Sequence, residues 1–360
     1  MRRQHKVTVF ALVLLLSAFG ALHLTVPKTI NTIAEFQDGV HCREPQPSAL
    51  ASPTKRGPPL LTVLAQEPSN QSCPSQDFMF RRNIISNHSY VADQNFHSKR
   101  RIPKIIHQTS KSRCLRPTLY VATETWQLDG WSYYFHDDVA MENLLQSHFP
   151  EFPHLSKIVN HCLTYGTLKA DLWRYLILWV YGGLYADIDT IPNEFSADTI
   201  QPIDDGFFVV ELDQVLSQYF MAMSPHHPLM YYAIQHSLSR LLQATDTNKQ
   251  YAPYVTGPQA LHAAFVDFRY DIGIMVDRNV GDDRRPVWNG TFVGSQNRSI
   301  RVVGTAQNDN QFVRREVIDR RFKKKEYEKM GMKHFFDYNE DSVKSNVTCL
   351  SAIRRGEHFD

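Results

Sequence analysis

Two aspartates one residue apart, Asp187 and Asp189, close the stretch "KADLWRYLILWVYGGLYADIDTIP", which runs from residue 169 to residue 192. Asp171 and Arg174 lie earlier in it, with Leu, Ile, Val, Trp and Tyr around all four. Charged side chains are seldom buried unless they are paired or bind a metal. Two adjacent carboxylates suit a hard divalent cation such as Mn²⁺ or Mg²⁺, and such an ion keeps positions open for phosphate oxygens. An Asp-x-Asp alone is a common pattern, and the plain alternative is a pair of loop caps ahead of Pro192. The preceding segment separates the two readings. Asp171 and Arg174 stand at i and i+3 and share a helix face, with Lys169 just ahead of them. Leu168, Leu172, Leu176 and Trp179, together with Trp173, Ile177 and Val180, cover most of the circumference. The narrow polar face directs Asp171 and Arg174 into a cleft. A buried structural pair is the alternative, and such pairs stabilise weakly.

The elements that must position these residues follow from pattern. A helix is expected over residues 163 to 181, ended by Gly182-Gly183, where glycine permits a left-handed turn. A strand, "LYADIDT", comes next. Its alternation places Tyr185, Asp187 and Asp189 on one face and Leu184, Ala186 and Ile188 on the other. Upstream, "RIPKIIHQT" reads as a first strand and "GWSYYFHDD" as a second, whose two Asp can cap the helix "VAMENLLQSHF". Downstream, "DDGFFVVEL" reads as a strand, "PHHPLMYYAIQHSLSRLLQAT" as a helix, and "GPQALHAAFVDF" opens another. Strands alternating with helices predict an α/β domain with a mainly parallel sheet. Glu211 and Asp213 follow a predicted strand, either facing a reacting centre or forming a plain loop acid pair. "RREVIDRRFKKKEYEKM" reads as a charged, solvated helix.

The rest of the chain sets location. Of 360 residues, 21% are charged and 12% aromatic, and the formal charge of +2 gives no reason to expect a nucleic-acid partner. Residues 7 to 26 contain no Asp, Glu, Lys or Arg and are long enough to span a bilayer. Arg2, Arg3 and Lys6 precede them, which keeps the N-terminus cytoplasmic. The alternative is a signal peptide cleaved near "AFG"; both readings send the remainder into the secretory lumen. Five sequons, at Asn70, Asn87, Asn289, Asn297 and Asn346, agree with that. Five cysteines allow one or two bridges in an oxidising lumen, and the absence of CxxC argues against zinc. The expected organisation is a cytoplasmic tail over 1–6, a transmembrane signal anchor over 7–26 and a flexible stem over 27–100, rich in Pro, Ser, Thr and Gln. A lumenal catalytic domain over 101–340 and a C-terminal tail over 341–360 complete it.

The segments "IPKIIHQT", "TLKADLWRYLILWVYGGLYADIDTIP" and "VTGPQALHAAF" together resemble glycosyltransferase family 32, the group with the DxD sugar-binding region. It includes α-mannosyltransferases of the yeast outer-chain and inositolphosphoceramide types. The resemblance covers roughly residues 101 to 265. It implies a GT-A type, Rossmann-like fold that binds a nucleotide sugar at the carboxyl ends of its strands. Asp187 and Asp189 match the catalytic DxD pair that holds Mn²⁺ or Mg²⁺ against the donor's diphosphate. Asp171 and Arg174 match positions that contact sugar hydroxyls and phosphates, with Tyr185 beside them on the donor. His107, Gln108 and Thr109 match the strand end where the nucleotide lies, and Thr256-Gly257-Pro258 match a later loop near donor or acceptor. Many members complete the metal site with a His-containing segment ending in Trp. Here "KHFFDYNEDSV" offers His334 without the Trp, leaving Asn308, Asp309 and Asn310 as rival third ligands.

The resemblance further implies retaining transfer of a hexose, with mannose from GDP-mannose favoured, onto a glycan or glycolipid by a single-pass Golgi membrane protein. UDP-galactose or UDP-N-acetylglucosamine is the alternative donor. A carbohydrate-binding protein on the same fold would show a broken DxD or lack Arg174. A phosphohydrolase would place a water-activating His or Asp cluster near the same strand. Neither pattern is present.

Overall fold

The computed structural model describes residues 57–64, 66, 72–83, 100–163, 166–210, 216–245, 252–269, 277–279, 287–304, 311–315, 318, 320–332 and 347–356. The expected membrane anchor lies outside these residues, as do Glu211, Asp213, His334 and Asn308 to Asn310. Among the described residues no helix is long and apolar enough to cross a membrane.

Part of the stretch expected as a flexible stem packs on the body. A short helix, α1 (Leu60–Val63), buries Leu60 and Val63, and the Tyr181 hydroxyl donates to the Pro58 carbonyl at 2.7 Å. Strand β1 (Met79–Phe80) precedes the main-sheet strand β2 (Ile105–Thr109) and pairs antiparallel with β3 (Cys114–Leu115). The Cys73–Cys114 disulfide ties the same segments together. A few apolar anchors and one cysteine fix this stretch; they are too sparse to show as a period.

Helix α2 (Pro117–Glu124) starts on proline, whose missing N–H costs nothing at that position. After β4 (Ser132–His136), Asp137 caps α3 (Asp138–Leu145) by accepting from the Ala140 N–H at 3.0 Å, as its sequence position suggested. Then come α4 (Leu155–Cys162), α5 (Gly166–Tyr181), β5 (Gly183–Ala186) and β6 (Ile191–Pro192). Helix α5 buries residues around its whole circumference, Asp171 and Arg174 included. It stops because Gly182 and Gly183 take φ values of +66° and +98°, which L side chains rarely adopt. A Cβ on Gly183 would also come within 2.6 Å of the Ile105 carbonyl oxygen.

Strands β7 (Gly206–Val210) and β8 (Leu216–Met223) are followed by α6 (Pro228–Gln243), α7 (Ala252–Val255) and α8 (Pro258–Phe268). The remaining elements are β9 (Asp277–Asn279), β10 (Val287–Gly294), β11 (Arg298–Val303), β12 (Val313–Arg314), α9 (Arg320–Lys329) and α10 (Cys349–Arg355). The main sheet has the order β4-β2-β5-β8-β7-β11-β10-β9. Neighbours are parallel through β4, β2 and β5 and again between β7 and β11. They are antiparallel across β5–β8, β8–β7, β11–β10 and β10–β9.

The sheet is mostly parallel, as expected: β4, β2, β5, β7, β11 and β9 run the same way, and β8 and β10 run against them. Strand β8 follows β7 after a short connection and so can only pair with it antiparallel. All eight β8 residues are buried, which erases the alternation that would announce a strand.

Candidate functional site

A cavity of about 650 Å³ opens beyond the carboxyl ends of β2, β4 and β5. This is where open α/β sheets place their ligands. Thr109, Asp138 and Asp187 mark those three strand ends in its wall.

The strand expected over "LYADIDT" ends at Ala186, and the two aspartates stand in the turn that follows. Asp187 keeps one sheet bond, its N–H donating to the Tyr219 carbonyl at 2.9 Å. Its own carbonyl accepts from Gln108 Nε2 at 3.1 Å, the Thr190 N–H at 3.1 Å and the Thr190 hydroxyl at 2.6 Å. Trp126 Nε1 donates to the Thr190 carbonyl at 2.9 Å. Three residues outside the turn, Tyr219, Gln108 and Trp126, hold it in place. The turn also gives the carboxylates unlike settings, instead of the common strand face that alternation suggested. The Asp187 side chain is 32% exposed and that of Asp189 only 7%.

Arg174 sits among the acids. Its Nη2 lies 3.3 Å from Asp171 Oδ1 and its Nη1 3.4 Å from Asp187 Oδ1. Nη1 also donates to the Gln218 carbonyl at 3.2 Å, and the guanidinium stacks 4.8 Å from the Tyr185 ring centre. Burial opposes its charge, yet Tyr185, Asp187 and Asp171 together raise its pKa and hold it protonated. The Tyr185 hydroxyl donates to Asp187 Oδ1 at 2.6 Å. Burial raises the Asp187 pKa, with Arg174 working against it. Burial likewise pushes Asp171 up to about 6 despite Arg174 and the Thr256 hydroxyl, which donates to its Oδ2 at 3.0 Å.

The loop carrying Thr256 is fixed from below. The Tyr175 hydroxyl donates to the Thr256 carbonyl at 2.9 Å and receives a bond from Gln218 Nε2 at 2.7 Å. Gly257 is there for close packing: a Cβ would meet the Pro253 Cα at 2.6 Å. Gly257 itself stays behind the cavity wall, which its neighbours Pro253 and Pro258 line.

The first strand divides differently from expectation. Thr109 lines the cavity, but His107 and Gln108 are buried behind it. His107 Nε2 lies 3.1 Å from the Gly182 carbonyl and its Nδ1 3.2 Å from His136 Nε2. Burial lowers the His107 pKa to about 3, so the ring is a neutral part of the core. Gln108 bridges the Tyr133 hydroxyl, at 2.7 Å, to the Asp187 carbonyl and positions the aspartate turn.

Two groups at the site come from the helix expected to be solvated. Lys323 Nζ lies 2.6 Å from Asp189 Oδ2, and the Tyr327 hydroxyl donates to the same oxygen at 3.1 Å. Their helix, α9, is tethered by Arg116 to Glu326 at 2.7 Å and by Lys111 to the Gly331 carbonyl at 2.5 Å. A charge run shows its own polarity and hides its partner, and here Asp189 is 134 positions from Lys323. Gln218 was equally hidden, inside the unrecognised strand β8.

Hard carboxylate oxygens at Asp187 and Asp189 fit a divalent ion. Asp187 opens onto the cavity, with its side chain 32% exposed, and a further cation there would stabilise its charged form. Among the described residues no cluster of three His, Cys, Asp or Glu forms there, so other oxygens would have to complete the shell.

Residues 84–205 match the family described as glycosyltransferase sugar-binding region containing DXD motif. The chain therefore carries a glycosyltransferase region of the family 32 type. It is 27% identical over 190 residues to the initiation-specific alpha-1,6-mannosyltransferase of Schizosaccharomyces pombe, covering 46% of each chain. It is 32% identical over 122 residues to inositol phosphoceramide mannosyltransferase 3 of the same yeast, covering 33% of this chain and 31% of that one. The chain thus spans less than half the length of these curated relatives. Among solved structures it is similar to the PaToxG glycosyltransferase, at 14% identity and a TM-score of 0.32, covering 46% of this chain and 69% of that one.

Proposed function

We propose that the protein is a metal-dependent, retaining α-mannosyltransferase of GT-A architecture that uses GDP-mannose and acts on a glycan or glycolipid. The carrying observation is the cluster of Asp171, Arg174, Tyr185 and Asp187 in the wall of a cavity beyond the parallel strand ends. A volume of about 650 Å³ is of the size that holds small ligands such as nucleotide sugars. In this reading Asp187 and Asp189 hold Mn²⁺ or Mg²⁺, which supplies charge neutralisation to the leaving diphosphate. Arg174 adds a planar, permanently charged fork suited to phosphate, and Asp171 is placed to accept from sugar hydroxyls. During transfer the bond from C1 to the diphosphate oxygen breaks, the acceptor hydroxyl oxygen bonds to C1 on the same face, and its proton passes to the departing diphosphate. The pinned aspartate turn keeps the carboxylates in place through that change. The names of the yeast relatives support mannose as the sugar. The Cys73–Cys114 and Cys162–Cys349 disulfides support an oxidising compartment, in line with a type II Golgi membrane protein.

Calorimetric titration of GDP and of UDP into the Mn²⁺-loaded protein tests this directly. Heat with GDP and none with UDP is the expected result. Binding of UDP alone would replace the donor with UDP-galactose or UDP-N-acetylglucosamine. A β-linked product by NMR would overturn retention.

A further inference from the structure

The cation that meets Asp189 comes from outside the segment matched to the glycosyltransferase family. Lys323 and Asp189 are both sheltered, with side chains 20% and 7% exposed, and both line the cavity. Arg315 joins them there, stacked 4.5 Å from the Tyr219 ring centre. Formal charge in the cavity wall is balanced: Lys111, Arg174, Arg315 and Lys323 stand against Asp138, Asp171, Asp187 and Asp189. A divalent ion entering alone would add its charge to this balance and take Asp189 away from Lys323. A sheltered ammonium without an anion is costly. A nucleoside diphosphate arriving with the ion cancels the added charge and offers Lys323 new oxygens.

We propose that Lys323 is a diphosphate-binding residue, which passes from Asp189 to the donor's phosphates as metal and nucleotide enter together. This rests on the proposed function and goes beyond it in naming the residue and the exchange. A lysine suits the task because it is a point charge on a long flexible stem with three donors. Helix α9 can stay where it is, held by the Arg116–Glu326 and Lys111–Gly331 contacts, while the side chain moves. Such an exchange makes metal and nucleotide binding reciprocal, each strengthening the other.

The test is calorimetry on the detergent-solubilised full chain, without acceptor. Mn²⁺, GDP and UDP are titrated singly and together into wild type, Lys323→Met and Lys323→Arg. In wild type, whichever nucleotide binds should raise the Mn²⁺ affinity about tenfold. In Lys323→Met, Mn²⁺ alone should bind more tightly because its competitor is gone. The nucleotide, with Mn²⁺ present, should bind about tenfold more weakly, and the mutual enhancement should shrink correspondingly. Lys323→Arg should restore nucleotide binding. Shifts of opposite sign distinguish this role from a structural ion pair, whose loss weakens both ligands. An unchanged nucleotide affinity in Lys323→Met overturns the inference, and so does parallel loss of both ligands in the Met and Arg variants. A wild type that binds neither GDP nor UDP with Mn²⁺ would sink the proposed function itself.

Discussion

Asp187 and Asp189 are separated by one residue but face different neighbours, so their variants should differ. Asp187 accepts from the Tyr185 hydroxyl and faces Arg174, which has Asp171 as a second partner. Asp187→Asn should therefore abolish transfer while leaving the unfolding temperature nearly unchanged. Asp189→Asn should also abolish transfer, but it removes the anion that Lys323 and Tyr327 share. A lower unfolding temperature in that variant alone is the expected signature, because Lys323 is left sheltered without its anion, and equal unfolding temperatures of the two would refute the distinction. Arg174→Lys keeps the charge but loses the fork that reaches Asp171, Asp187 and the Gln218 carbonyl. Transfer should fall about a hundredfold, measured as kcat/KM for the donor. At this scale the sequence was legible wherever a charge stood in an apolar setting, as Asp171, Arg174, Asp187 and Asp189 did. Lys323 was not, because a lysine in a lysine-rich helix looks solvated until its acidic partner is known.

Elements were legible where the period was clean. Helix α5 and its glycine stop, the Asp137 cap and the first two strands lie close to where pattern puts them. Strand β8 was not, since burial on both faces removes alternation. The strands beside it are tied together by Asp205 at the head of β7. Its carboxylate takes two bonds from Arg298 on β11, at 2.5 and 2.7 Å, and one from the Ser224 hydroxyl beyond β8 at 2.5 Å. Burial alone would raise the Asp205 pKa, but the Arg298 bonds bring it from 3.8 down to about 2. A carboxylate with a depressed folded pKa binds fewer protons folded than unfolded between those two values. Its contribution is therefore complete above about pH 4 and is lost as pH falls toward 2. Asp205→Asn should cost roughly 2 kcal/mol at neutral pH. It should also flatten the loss of stability between pH 4 and pH 2 in urea unfolding curves. Parallel curves for variant and wild type across that range would refute the assignment.

For the whole molecule, composition read the chain in blocks, while covalent and surface features tie the blocks together. Residues 57–83 looked like stem and 349–355 like tail, yet Cys73–Cys114 and Cys162–Cys349 fasten both to the body. The second bridge joins α4 to α10 across 187 positions. Closing so long a loop restricts the unfolded chain by about 3–5 kcal/mol. Cys349→Ser should accordingly lower the thermal midpoint by several degrees, read by calorimetry, while activity at low temperature persists because no residue of α10 lines the cavity.

The same compartment that forms these bridges would glycosylate the sequons, and the structure makes one of them specific. Asn297 is exposed in the turn between β10 and β11, with a left-handed φ of +56°. Asparagine tolerates that backbone, and the residue is exposed there. A glycan there would cost no core contact, because the neighbouring Ser295 and Ile300 carry the burial. If residues 27 to 360 face the lumen, protein made in its own secretory pathway should shift on gels after glycosidase treatment. Asn297→Gln should then remove one glycan from the ladder without changing the melting temperature. A chain with no glycosidase shift at all would overturn the lumenal topology. A ladder unchanged by Asn297→Gln would leave the topology standing and show that the turn is shielded from the modifying enzyme.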